Sequence, residues 1–118
     1  MLAISGDYPL SGYEGLARPV FDNGVLTGRV VRVDRFGNLV TNLDRRSCER
    51  VTEGAASVHL TVGGHTIARI VSTYADLAPG EVGALFGSTD HLECAMPSAS
   101  AAERLGVIVG EPVELRRT

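Results

Sequence analysis

Apolar positions fall into two textures along the chain. Over residues 1–26, Gly6, Pro9, Gly12, Gly15, Pro19 and Gly24 interrupt every few residues and no periodicity is sustained, the pattern of a linker or loop. From Thr27 onward short apolar, β-branched runs alternate with turn residues. Val30, Val31 and Val33 predict a first strand, stopped at Asp34-Arg35-Phe36-Gly37-Asn38, and Leu39, Val40, Thr41 and Leu43 predict a second. Residues 57–62 and 65–71 flank Gly63-Gly64, a pair suited to a hairpin turn that needs positive φ. Pro79-Gly80 marks another turn, residues 82–86 and 92–95 two further strands, and 113–115 the end of the sheet. One short helix is expected: Ser100 and Glu103 have capping-box spacing, and Gly106 suits a left-handed stop. The expected fold is all-β: a small antiparallel β-barrel of six or seven short strands with one short helix, over 27–118.

Composition narrows the function classes without choosing one. The 118 residues are 44% hydrophobic, and a chain of this size buries about 65% of its extended surface, enough for one packed core. No apolar run approaches the roughly 20 residues needed to span a bilayer. The first basic residue is Arg18, so the start lacks the charge of a signal peptide; the expectation is a soluble, cytoplasmic protein. Fourteen acidic residues outweigh eleven basic ones, all arginine, and that acidic excess disfavours nucleic acid as a partner. Cys48 and Cys94 are too few for a disulfide scaffold and are read as free thiols.

Catalytic signals are weak. Ser88, Asp90 and His91 have the letters of a hydrolytic triad, but four consecutive positions cannot set base against nucleophile and orienter against base. His59, His65 and His91 lack zinc-ligand spacing, no metal is expected, and no glycine-rich phosphate loop occurs. Two segments are richer. In Asp34-Arg35-Phe36-Gly37-Asn38, an aromatic face adjoins open backbone, and Asn38 offers the donor and acceptor that read an amide-like heterocycle such as adenine. An ordinary turn, with Asn38 capping its own backbone, is the plainer reading. The second set is Tyr74-Ala75-Asp76, Gly87-Ser88-Thr89-Asp90 and Met96-Pro97-Ser98-Ala99-Ser100: a ring, a hydroxyl-rich turn and a helix start with free amides, or simply turns and a cap.

Together these segments resemble one family. The string Gly28-Arg29-Val30-Val31-Arg32-Val33-Asp34-Arg35-Phe36-Gly37-Asn38-Leu39-Val40-Thr41-Asn42-Leu43 is similar to the opening of the C-terminal domain of the S-adenosylmethionine (SAM) hydroxide adenosyltransferases, or SAM hydrolases, relatives of the SAM-dependent chlorinases and fluorinases. Thr73-Tyr74-Ala75-Asp76, Pro79-Gly80-Glu81, Gly87-Ser88, Leu92-Glu93 and Ser100-Ala101-Ala102-Glu103-Arg104-Leu105-Gly106 follow in the family's order, so the likeness covers about 28–115.

The resemblance implies an N-terminal α/β domain followed by a C-terminal antiparallel barrel, assembled as a homotrimer. SAM, the substrate, would lie between the N-terminal domain of one subunit and the C-terminal domain of its neighbour, with no further cofactor. Water or hydroxide displaces methionine in the hydrolases, and a halide does so in the halogenases. The water-handling residues belong to the N-terminal domain, which residues 1–26 are too few to form; they are read as the end of the interdomain connection. The expectation is half of a binding site, inactive alone, from a fragment or truncated product of a longer enzyme, with no catalytic residue of its own.

By position, Asn38 matches the side chain that recognises the adenine edge. Phe36 and Tyr74 match aromatic walls of the adenosine, Ser88 a hydroxyl facing the methionine end, and Ser98 a backbone contact to adenine. Thr89 and Met96 replace arginines of the halogenases and Asp90 replaces a glycine, departures that favour the hydrolase branch. Asp90 is expected to face solvent, since an inward carboxylate would repel that of methionine. Competing readings are a free-standing nucleoside-binding or assembly module without catalysis, part of a SAM-dependent halogenase and, on architecture alone, a nucleic-acid barrel.

Overall fold

A bulge decides how the first long strand uses its apolar residues. In the computed structural model, which describes residues 18–118, β1 (Val20–Asp22) turns into β2 (Val25–Val33). Leu26 and Val30 point into the core at even spacing, and Val33 also packs against it, although it lies an odd three positions beyond Val30. The register shift between Val30 and Arg32 changes the parity and lets both valines face inward.

β3 (Leu39–Asp44) is covered on both faces from Leu39 to Leu43. Its polar residues repair the ladder where it is irregular. The Thr41 hydroxyl donates to the Leu92 carbonyl (2.7 Å) and accepts from Leu43 N–H (3.1 Å), and Asn42 Oδ1 accepts from Arg29 N–H (2.8 Å). A side chain at Gly28 would meet that Asn42 oxygen at 2.2 Å, so the two strands approach only because Gly28 has none.

After helix α1 (Arg45–Thr52) come the hairpin β4 (Val58–Val62) and β5 (His65–Ile67), a single 3₁₀ turn (Tyr74–Asp76), the hairpin β6 (Gly83–Phe86) and β7 (His91–Ala95), helix α2 (Ala101–Leu105) and β8 (Pro112–Arg117). All strand pairs are antiparallel. The order across the sheet is β5-β4-β8-β2-β3-β7-β6, with β1 on β2. The chain beyond β5 then reaches the far edge: Ile70 pairs with Ala84, Val71 N–H donates to Ala84 O (2.8 Å), and Ala84 N–H donates to Arg69 O (2.8 Å). Those contacts nearly close the sheet into a barrel around Leu26, Val30, Leu39, Leu43, Leu60, Leu92 and Leu115, each at most 1% exposed. No helix among the described residues is long and apolar enough to cross a membrane.

The expected all-β barrel is therefore present, with differences in detail. The Gly63-Gly64 turn has positive φ at both residues, and Val62 pairs with His65 across it. Ser100 Oγ accepts from Glu103 N–H (3.1 Å) and Gly106 ends α2 at φ +67°. Among the described residues there are eight strands where six or seven are expected, because Val20–Asp22 is strand in place of linker; residues 1–17 of that linker lie outside the described residues.

α1 was also unforeseen, since one helix was expected. Asp44 starts it by accepting from Ser47 N–H (3.0 Å) and Oγ (2.7 Å), and only Cys48 and Val51 of α1 are buried. Arg117 closes its other end by donating to the Val51 and Glu53 carbonyls (3.0 and 2.8 Å).

Candidate functional site

The loop 34–38 between β2 and β3 is organised by one carboxylate. Asp34 Oδ1 accepts from the backbone N–H of Phe36 (2.9 Å) and of Asn38 (3.0 Å), while Oδ2 accepts from Asn38 Nδ2 (3.1 Å). Its backbone joins in: Gly37 N–H donates to Asp34 O (2.9 Å) and Asp34 N–H to Asn38 O (3.1 Å). The plainer reading, Asn38 as its own cap, gives way to Asp34 as the cap, which engages Asn38 through Nδ2.

Gly37 docks this loop on the start of α2. It sits at φ +84°, and a Cβ there would lie 2.0 Å from Ser100 Oγ and 2.7 Å from Ser100 Cα. Its carbonyl accepts from Ala102 N–H (2.9 Å). The free amides expected at this helix start are thus already engaged, Ala102 N–H by Gly37 and Glu103 N–H by Ser100 Oγ.

The opposite wall is Tyr74, on the 3₁₀ turn. Its hydroxyl donates to Met96 O (2.6 Å) and accepts from Ser98 N–H (3.2 Å). One phenol therefore holds the turn in which Ser98 takes φ +56°. Asp76 Oδ2 accepts from Thr73 N–H (3.1 Å), and Arg69 donates to Asp76 O (2.8 Å) and Glu81 Oε2 (3.0 Å), fixing the turn from below.

Between these walls lies an open cleft of about 530 Å³ lined by Phe36, Asn38, Tyr74, Ser98, Ala99 and Ser100. That volume lies within the range of small-molecule sites. Phe36 is 65% exposed and Tyr74 47%, so two rings face solvent beside the amide of Asn38. The six lining residues carry no carboxylate, imidazole or thiol. Such a lining can stack on a planar ring and hydrogen-bond to its edge, but it holds no general acid or base of ordinary range. Both cysteines are buried, and that burial pushes each thiol up to about 12.

Four of the five expected site residues thus meet in one cleft, and the fifth does not. Ser88 is exposed in the turn between β6 and β7, at the end of β7 where His91 pairs with Asp44, whereas the cleft lies at the Ala95 end. The length of β7, roughly 17 Å at ordinary strand rise, separates the two. Asp90 beside it, at φ +65°, has its side chain 61% exposed, as expected, and accepts from Arg45 Nε (2.7 Å). Arg45 also stacks on Phe86, with its guanidinium carbon 4.2 Å from the ring centre. His91 Nδ1 contacts Thr89 O (2.9 Å), so Ser88, Asp90 and His91 do not form a relay.

Between cleft and turn lies Glu93. Its pKa is raised, first by burial and then by the Asp34 charge, against the opposing influence of Arg32 and His91. A Cβ at Gly87 would fall 1.8 Å from this carboxylate. Asp34 and Ser100 join the site although neither matches a ligand-contacting position of the resemblance: Asp34 organises the loop and Ser100 receives Gly37. The visible signal was an Asp two residues before Phe36 and four before Asn38, the spacing of an Asx turn.

Among solved structures, the chain is similar to an uncharacterized conserved protein from Thermotoga maritima, at 27% identity and a TM-score of 0.72, over 85% of this chain and 39% of that one. It is also similar to a conserved hypothetical protein from Thermus thermophilus, at 34% identity and a TM-score of 0.59, over 75% of this chain and 32% of that one. The chain thus spans well under half the length of either. The family model of the SAM hydroxide adenosyltransferase C-terminal domain matches residues 28–114, from the glycine that admits Asn42 to the last strand of the barrel, and the chain belongs to that family.

Proposed function

We propose that this chain is the adenosine-binding half of an enzyme that converts SAM and water to adenosine, L-methionine and a proton. In that reaction the C5′–S bond breaks, a C5′–O bond forms, and the sulfonium electron pair returns to methionine sulfur. The observation that carries the reading is the cleft itself, in which Phe36 and Tyr74 flank the Asn38 amide within the family's matched segment. The rings stack on the purine, and Asn38 reads its edge with one acceptor and one donor. The Ser98 backbone adds a contact to adenine.

Ser88 serves the methionine end, which requires SAM to extend along β7 from the cleft toward the β6–β7 turn. Thr89 and Met96, standing where the halogenases carry arginines, favour water over a halide. The six residues lining the cleft carry no carboxylate or imidazole, and Asp90 beside Ser88 is paired with Arg45, which supports a reading in which the chain binds and orients while a partner activates the nucleophile. That partner is the N-terminal domain of a neighbouring subunit in a homotrimer. The chain spans 39% and 32% of the two similar proteins, which leaves room in each of those proteins for a second domain.

The test is adenosine binding followed by amide NMR and calorimetry. Shifts clustered at Phe36, Asn38, Tyr74 and Ser98 are expected. Asn38→Ala should weaken adenosine binding by about 1–3 kcal/mol, the cost of leaving polar groups of the base unpaired. Unchanged affinity in that variant would remove Asn38 from the base-reading role. Turnover of SAM by the isolated chain at enzymatic rates would overturn the inactive-alone assignment. Adenosine binding without a catalytic partner in the source cell would instead identify a free-standing nucleoside-binding module.

A further inference from the structure

The Asn38 side chain is held in one of its two amide orientations. A carboxylate only accepts hydrogen bonds, so the Asn38 atom facing Asp34 Oδ2 at 3.1 Å has to be the nitrogen. The carboxylate cannot turn away, because its other oxygen is fixed by two backbone donors, Phe36 N–H at 2.9 Å and Asn38 N–H at 3.0 Å. One Nδ2 proton is therefore committed to Asp34. Asn38 lines the cleft, and with Asp34 holding the proton on the Cβ side of the amide, the second proton and Oδ1 stand side by side as the edge left for a ligand.

An edge with an acceptor beside a donor complements a 6-aminopurine, whose exocyclic amine donates and whose ring nitrogen accepts. It opposes a 6-oxopurine, whose oxygen would face Oδ1 with no proton between them. We propose that Asp34, which lies outside the cleft lining, is the positioning residue that makes this site selective for 6-aminopurine over 6-oxopurine nucleosides by fixing the Asn38 amide. The proposal rests on the reading of Asn38 as the base-recognising residue. It adds the element that sets the polarity of that recognition. An asparagine free to flip would present its donor or its acceptor to either base, and the preference would fall.

The decisive variant is Asp34→Asn. The new amide is expected to keep its oxygen on the two backbone N–H groups, since turning it would leave both donors facing an NH₂. Its nitrogen then faces Asn38, which answers by rotating Oδ1 inward and Nδ2 toward the cleft. Adenosine and inosine are the probes, titrated into wild type, Asp34→Asn and Asn38→Ala.

Wild type is expected to prefer adenosine by at least about ten-fold, with Asp34→Asn reducing or inverting that ratio. Retention of the wild-type ratio in Asp34→Asn, with its loss in Asn38→Ala, would overturn the role of Asp34 and leave that of Asn38 intact. Adenosine affinity unaffected by Asn38→Ala would overturn the underlying reading instead. A ligand-free measurement closes the remaining route: in wild type one Asn38 side-chain amide proton should exchange with water several-fold more slowly than the other, and Asp34→Asn should abolish that asymmetry. Unchanged Asn38 side-chain amide resonances in Asp34→Asn would overturn the proposal whether or not a nucleoside binds.

Discussion

The two ends of the β3–β7 pair are built to opposite specifications. At the Asp44–His91 end, charged groups find partners within the chain: Asp44 caps α1 through Ser47, and Arg45 lies between Asp90 and the Phe86 ring. At the Leu39–Cys94 end, internal contacts fix the backbone and hold the groups that line the cleft. Asp34 holds the Phe36 and Asn38 amides, Gly37 docks on Ser100 and Ala102, and the Tyr74 hydroxyl is anchored to Met96. Among the groups left facing the cleft are the Phe36 and Tyr74 rings and the Asn38 amide, with Ser98 and Ala99 beside them. A surface that completes its own interactions is stable in water; one that fixes its scaffold but exposes its faces is preorganised for a ligand.

The largest expected effect comes from breaking the scaffold of the cleft. Gly37→Ala places a methyl in a left-handed conformation and against Ser100, whose own Cα is only 2.7 Å from the new carbon. It should cost at least about 2 kcal/mol in urea unfolding, from backbone strain and displacement of α2. Adenosine-dependent shifts should disappear with it. A variant of wild-type stability and wild-type binding would show that the loop does not depend on its contact with α2.

Next comes the self-satisfied end. Asp44→Ala removes the N-cap of α1 and should cost about 1 kcal/mol without altering nucleoside binding. Its pH dependence sharpens the point. Partial burial alone would raise the Asp44 pKa, but hydrogen bonds from the Ser47 hydroxyl and amide outweigh it and hold the value below the ordinary 3.8. Stability from this carboxylate is therefore fully present above 3.8 and lost as pH falls through the lower folded value. The gap between wild type and Asp44→Ala, followed by acid-dependent unfolding, should close on that descent. A gap independent of pH would assign the effect to packing.

Much of this contrast was legible in the sequence, and what was missed has physical causes. The Gly63-Gly64 hairpin, the Ser100 cap and the Gly106 stop depend on local chemistry, and all three are found. α1 escaped notice because Cys48 and Val51 are its only buried residues, too few to set a helical period in eight residues. β1 was hidden by the glycines around it, although Asn23-Gly24 is itself a hairpin signal and both residues have positive φ, 53° and 78°. In the site, residue type marked the segments, and the family resemblance picked out Phe36, Asn38, Tyr74 and Ser98 within them. The role of Asp34 depends on which oxygen meets which donor, and spacing alone does not specify that.

Glu93, half-buried opposite Val40, provides a smaller test from the middle of the same strand pair. Its pKa is raised above 4.5, by burial first and by Asp34 second, the opposite direction from Asp44. In the window between 4.5 and the raised value, the folded chain binds a proton that the unfolded chain releases. Stability contributed by this group therefore rises as pH falls through that window, whereas that of Asp44 declines only at lower pH. Wild type should show this rise and Glu93→Gln should not. Equal slopes in the two proteins would mean that Glu93 is solvated like an ordinary surface carboxylate.

The smallest expected effect on folding is the most informative about the cleft. Truncating a large aromatic ring in a core costs about 3–5 kcal/mol, because both burial and packing are lost. Phe36 is 65% exposed, and its described ring contact is the guanidinium of its neighbour Arg35, 5.0 Å from the ring centre. An exposed contact of that kind contributes little, so Phe36→Ala should leave the unfolding free energy within about 0.5 kcal/mol of wild type. Adenosine affinity should fall nonetheless, because the ring is then one wall of the ligand's site. A loss of stability above about 1 kcal/mol, with binding unchanged, would make Phe36 part of the barrel's own packing and remove the contrast between the two ends of the sheet. Stability retained and binding lost would show that this end of the barrel holds its aromatic surface open for a partner outside the chain.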